Sequence, residues 1–225
     1  MDPRKLFFDT RCLSGCAYCG APPETRDHVP ARVFLDQPYP DDLGVVGCCL
    51  SCNAGASQAE QYLACLLECI VHGSAEPDSR FREVVRRTSL ARPGLLAKIA
   101  DERTSDHLWQ PDYDLLNPLI VKLARGHIAH ELALALYEDP QYFLVKPLPL
   151  MDSEEREEFF RIRHSGLWPE IGSYAFVSSS YGRPSGFEQW RSVQPDCYAY
   201  SLGQAEGTWV KLIIRDYLAC LVVWD

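Results

Sequence analysis

Cys16-Ala17-Tyr18-Cys19 and Cys49-Leu50-Ser51-Cys52 are two C-x2-C knuckles separated by 29 residues. Each knuckle turns two thiolates toward one tetrahedral ion with bonds of about 2.3 Å, and two knuckles complete a closed four-sulfur zinc site. A closed shell leaves no position for substrate, so such a zinc is structural and replaces an apolar core that a short segment does not supply. The competing reading is four buried apolar cysteines. Cys48 adjoins Cys49 and competes with it as a ligand, and Cys12, four residues before Cys16, is ambiguous in the same way. Cys65 and Cys69 lie four apart in an apolar helical pattern and read as core; Cys197 and Cys220 sit in strand patterns and read as buried.

Met1-Asp2-Pro3-Arg4-Lys5 is followed only by a short apolar run, 6–8, which does not match a secretory signal. The expectation is a cytoplasmic protein, where clustered cysteines bind metal rather than pair as disulfides. No stretch reaches the ~18 consecutive apolar residues of a membrane span, so no membrane partner is expected.

The net charge of −9 excludes a chain coated uniformly for nucleic acid. The excess acid is uneven: residues 1–75 carry net −4, 76–125 net +1, and 126–225 net −6. Arg80, Arg82, Arg86, Arg87, Arg92 and Lys98 form the one basic island, with Glu83 alone among them. It reads either as a phosphate track or as a solvated helix face. Glu154, Glu155, Glu157 and Glu158 read as a solvated acidic face, or as a site for a basic partner surface.

Hydrophobic spacing predicts helices over 57–72, 81–87, 95–99, 118–137 and 153–164. The first would be capped near Ser57, with Glu60 as its capping-box partner, and the long one by Asn117 with Pro118 in its first turn. Strands are predicted over 142–145, 174–178, 197–202, 209–214 and 217–224, with glycines between them. His127, His130 and Glu131 lack the His-Glu-x-x-His order; they read as helix packing or as a second metal site. His72, His107 and His164 have no convergent partners in sequence.

Between the knuckles stands Thr25-Arg26-Asp27-His28-Val29-Pro30, and Asn53 directly follows the second knuckle. Two knuckles flanking Asp-His-Val-Pro, with Cys-x2-Cys-Asn leading into a helix, resemble the HNH endonuclease family and its ββα-metal fold. The resemblance covers roughly residues 12–72. It implies His28 as general base and Asp27 and Asn53 as oxygen ligands of one catalytic Mg²⁺ or Mn²⁺, with water and phosphate completing the shell. The alternative for Asp27 and His28 is a turn acid beside a surface histidine. Two positions depart from the family pattern. Gly44 stands where the family's middle Asn holds the histidine loop, and Ala56 where a Lys is common. Glu60 could support the metal or His28, or simply cap the helix.

The expected fold is α+β: a zinc-stabilised ββα-metal (HNH) module over 8–75, a helical region with the basic island over 76–140, and a mixed α+β C-terminal region over 141–225. The expected function is a metal-dependent endonuclease acting on nucleic acid, with DNA favoured. Arg26, Arg32, Arg80, Arg82, Arg86 and Arg87 are its candidate phosphate contacts. By analogy it resembles nuclease components of bacterial anti-phage or mobile-element systems, which pair with an ATPase or sensor subunit. The alternative is a catalytically degenerate zinc module that binds nucleic acid or a protein.

Overall fold

The computed structural model describes residues 15–77, 79–105 and 108–225; Cys12 and His107 lie outside them. Strand β1 (Thr25–Val29) pairs antiparallel with β2 (Gly44–Cys48), and helix α1 (Leu50–His72) follows. Helices α2 (Glu83–Ala91) and α3 (Pro93–Asp101) lead into a ribbon of β3 (Arg103–Ser105) and β4 (Leu108–Trp109). Helix α4 (Tyr113–Leu132) follows, then β5 (Tyr142–Pro147), α5 (Ser153–Phe160), α6 (Tyr174–Tyr181) and the strands β6 (Arg191–Gln194), β7 (Tyr198–Gly203), β8 (Thr208–Ile214) and β9 (Leu218–Trp224). The last sheet is antiparallel, in the order β5-β9-β8-β7-β6. The chain is thus α+β, with two compact units: Met1–Asn53 with Ile120–Asp225, and Ala54–Leu119. Among the described residues, no helix is long and apolar enough to cross a membrane.

In the first unit α4 lies between two sheets. Lys122, Gly126, Ala129 and His130 recur at helical spacing and form the face toward the β1–β2 hairpin. There Ala129 packs with Val29, Val46 and Ala17. A Cβ on Gly126 would come within 3.2 Å of Tyr18 Oη and Val29 Cγ2, so glycine permits the close approach. The opposite face meets the C-terminal sheet. His127 Nε2 hydrogen-bonds Tyr198 Oη at 3.0 Å, and Glu131 accepts hydrogen bonds from Ser185 Oγ at 2.8 Å, Gly186 N at 3.1 Å and Tyr200 Oη. Cover on both sides buries His127, His130 and Glu131 along with the apolar residues of α4. The sheet's far face is closed by Phe159 of α5 and Leu148 against Ile213 and Ala219.

The C-terminal sheet also holds the loop between β1 and β2. Arg191 Nη2 donates to Asp42 Oδ2 at 2.7 Å, Arg215 reaches Asp36 at 3.3 Å, and Gln194 Oε1 accepts from Asp36 N at 2.7 Å.

The second unit is organised around buried Glu68, which accepts from Arg82 N at 2.8 Å and Arg82 Nε at 2.7 Å. Tyr62 Oη donates to Glu102 at 2.6 Å and accepts from Asp112 N at 2.7 Å.

Several boundaries differ from the sequence reading for local reasons. Helix α1 starts at Leu50 rather than Ser57, because Glu24 Oε2 accepts from Leu50 N and Cys49 Sγ from Cys52 N; these acceptors satisfy amides that a helix start leaves open. Ser57 Oγ instead accepts from Gln61 Nε2. Helix α4 starts at Tyr113 because the Asp112 carboxylate caps it, accepting from Asp114 N at 3.0 Å, and it stops before Ala133 at φ 56°. Residues 174–181 are helix rather than strand: Ser173 Oγ caps the N-terminus through Phe176 N, and Gly182, at φ 63°, ends it.

Candidate metal centre and the Asp27–His28 strand

Cys16, Cys19, Cys49 and Cys52 bring their four sulfurs within 4.8 Å of one another. Cys19 and Cys49 Sγ are 3.7 Å apart, close to the ~3.8 Å edge of a tetrahedron with 2.3 Å zinc–sulfur bonds. The first knuckle closes through Gly20 N to Cys16 O at 2.9 Å, with Gly20 at φ 76°; it docks on β2 through Ala17 N to Gly47 O at 2.9 Å. The second knuckle sits at the N-terminus of α1, where Cys49 Sγ accepts from Cys52 N at 3.4 Å; burial and the neighbouring sulfurs hold the Cys52 thiol well above its ordinary value. Burial raises the Cys16 thiol, but backbone amides at Cys49, Tyr18 and Cys19 outweigh it and bring the value down to about 7. The set fits zinc. Cys48 is outside it: its sulfur donates to Cys49 O at 3.3 Å, and burial pushes its thiol up to about 12. Cys65, Cys69, Cys197 and Cys220 are buried.

Adjacent residues on a strand point to opposite faces, which separates Asp27 from His28. Asp27 lies on the face shared with Val29, Gly44 and Val46, toward α4. Its Oδ2 accepts from Tyr18 Oη at 2.9 Å and pairs with Lys122 Nζ at 2.6 Å, the two side chains being 10% and 11% exposed. The Lys122 ammonium also stands 5.0 Å from the Tyr18 ring centre. Asn53, on the first turn of α1, donates through Nδ2 to Thr25 Oγ1 at 3.2 Å, and Thr25 Oγ1 donates to Cys48 O at 2.9 Å. Asp27 and Asn53 as arranged do not fit a divalent cation. The carboxylate is already neutralised by an ammonium, and Asn53 would add only a neutral oxygen.

His28 lies on the other face of β1 with Arg26, half-buried; Arg26 and Arg32 are exposed. Burial, reinforced by the nearby Arg32 charge, lowers the His28 pKa, while Asp27 opposes the shift. His28 is therefore neutral at pH 7 and able to accept a proton.

Four of the six island cations pair with three carboxylates of the same unit. Arg82 is bound to Glu68, Arg86 and Arg87 reach Glu83 at 2.6 Å each, and Lys98 pairs with Asp112. Arg80 is also engaged.

His127 and His130 are buried without converging on a metal. His127 stacks on Tyr200 at 3.9 Å between ring centres, and His130 lies tilted against Tyr174 at 4.6 Å.

The sequence reading missed Tyr18 and Lys122. Tyr18 was legible as the one aromatic side chain inside a knuckle. Lys122 was legible as the single charge in the run Leu119-Ile120-Val121-Lys122-Leu123-Ala124.

No family model matches the chain, and no curated protein and no solved structure matches it either.

Proposed function

We propose that the chain acts on phosphodiester bonds of nucleic acid, DNA in the first instance, as an HNH-type nuclease with His28 as general base. One observation carries this reading: an antiparallel hairpin bearing Asp27-His28 runs directly into a helix whose first turn bears Asn53, and a four-cysteine site joins the two ends. His28, neutral at pH 7, takes the proton of the attacking water. Arg26 and Arg32 supply positive charge for the phosphate oxygens from the same exposed side of β1 and the turn beyond it. With net charge −9, unaided binding is weak and falls with salt, which favours recruitment by a protein partner such as the ATPase or sensor subunit of a defence or mobile-element system.

The Asp27–Lys122 pair favours a second reading, a zinc module that binds nucleic acid or a protein without cleaving. Supercoiled plasmid incubated with zinc-loaded protein, with and without added Mg²⁺ or Mn²⁺, separates the two. Nicking lost in His28→Ala supports the nuclease, whereas equal nicking by both proteins eliminates it. Plasmid retardation without nicking by the wild type supports the binding module.

A further inference from the structure

We infer that Lys122 is a tethered cation standing in place of a divalent ion at Asp27, and that it bars Mg²⁺ and Mn²⁺ from the Asp27–Asn53 pair. The inference rests on the HNH reading only for the identity of that pair as the family's metal position; the ion pair itself is a property of this chain.

Three features fix Lys122 there. Its ammonium touches Asp27 Oδ2 at 2.6 Å, and the side chain is only 11% exposed. Its position beside the Tyr18 ring provides a cation–π contact. Tyr18 Oη donates to the same carboxylate oxygen, so Oδ2 already has two donors. Lys122 also lies one turn before Gly126, and the missing Cβ at Gly126 is what lets α4 approach Tyr18 and Val29 closely. Swinging Lys122 away would leave the largely buried Asp27 carboxylate without this counter-charge, which is strongly unfavourable. An incoming Mg²⁺ requires carboxylate oxygen at 2.0–2.1 Å and a near-octahedral shell that keeps several waters. Here it would meet a neutralised carboxylate, with a positive charge against the oxygen it needs.

The arrangement also ties this position to the four-cysteine site, because Tyr18 lies between Cys16 and Cys19. The knuckle that binds zinc therefore supplies the hydroxyl that orients the Asp27 carboxylate.

The test uses full-length zinc-loaded protein without nucleic acid, titrated with Mn²⁺ and followed by electron paramagnetic resonance of the free ion. Lys122→Ala opens the position, and Lys122→Met keeps the apolar stem over Tyr18 in case the smaller side chain does not fold. One zinc per chain and an unchanged far-ultraviolet spectrum verify folding. The expected result is no Mn²⁺ uptake by wild type beyond that of Asp27→Asn. At least one folded Lys122 variant should gain one Mn²⁺ per chain, bound at least ten-fold tighter than by wild type, and lose it when Asp27→Asn is added. Wild-type uptake abolished by Asp27→Asn would overturn the inference, as would folded Lys122 variants that bind no Mn²⁺. Neither result bears on whether plasmid is nicked, so the fate of the nuclease reading is decided separately.

Discussion

The His130 ring occupies the space in which a side chain at Gly44 would stand. A Cβ built on Gly44 would lie 3.0 Å from Cδ2, Cε1 and Nε2 of that ring. The position that holds an asparagine in the resembled family is thus filled from α4, across 86 residues of sequence. Gly44→Ala should cost about 1–3 kcal/mol by overpacking. Most of that cost should disappear in a His130→Ala background, giving a clear coupling in a double-mutant cycle by chemical denaturation. Additive losses would show that His130 has room to move.

Asp27→Asn should destabilise the chain by about 3–5 kcal/mol, because it leaves the Lys122 ammonium largely buried without its counter-charge. The paired replacement Asp27→Leu with Lys122→Met should recover most of that loss, since an apolar pair removes both desolvation costs. Urea midpoints of the three variants and the wild type measure this directly.

Zinc removal should disorder the knuckles and the start of α1, because the bonds to the ion are what hold the two knuckles together. Purified protein should carry about one zinc per chain, as read by elemental analysis. Cys19→Ser, an exposed ligand, should lower zinc occupancy sharply, whereas Cys48→Ser should leave it unchanged.

Stability should fall as pH drops below about 6.5. Burial lowers the pKa of His127 strongly and that of His130 to about 3. The unfolded chain therefore takes up two protons that the folded chain refuses, at up to ~1.4 kcal/mol per pH unit for each group. Burial raises the pKa of Glu131, so it contributes with the opposite sign: on acidification the folded state protonates it first. Two histidines against one carboxyl leave a net loss. Melting temperatures at pH 7.5 and 5.5 should differ, and His130→Gln should flatten the dependence.

The four-cysteine site was legible because C-x2-C fixes local geometry whatever surrounds it, and the spacing named the same four ligands that converge. The strands β7, β8 and β9 were legible from runs of branched and aromatic residues. The segment 174–181 was misread because Tyr-Ala-Phe-Val suits a strand by propensity; the cap at Ser173 and the stop at Gly182 decide it locally. The partners of Asp27 were not legible in the same way. Lys122 reaches it from a helix 95 positions away, and no local pattern encodes such an encounter. The C-terminal region had no assigned purpose in sequence. Its role in the fold follows from Arg191, Gln194 and Arg215, which grip the hairpin loop at Asp42 and Asp36.

The grip of Arg191 on Asp42 spans 149 residues. At about 5–20 residues per second of synthesis, the hairpin loop leaves the ribosome roughly 7–30 s before the side chain that anchors it exists. For the first 80 residues of that span, from 42 to 122, Val29 and Val46 have no helix to cover them and Asp27 has no lysine. A gene fragment ending near residue 75 would freeze the chain in that state, so the zinc knuckles and hairpin are not a transferable cassette.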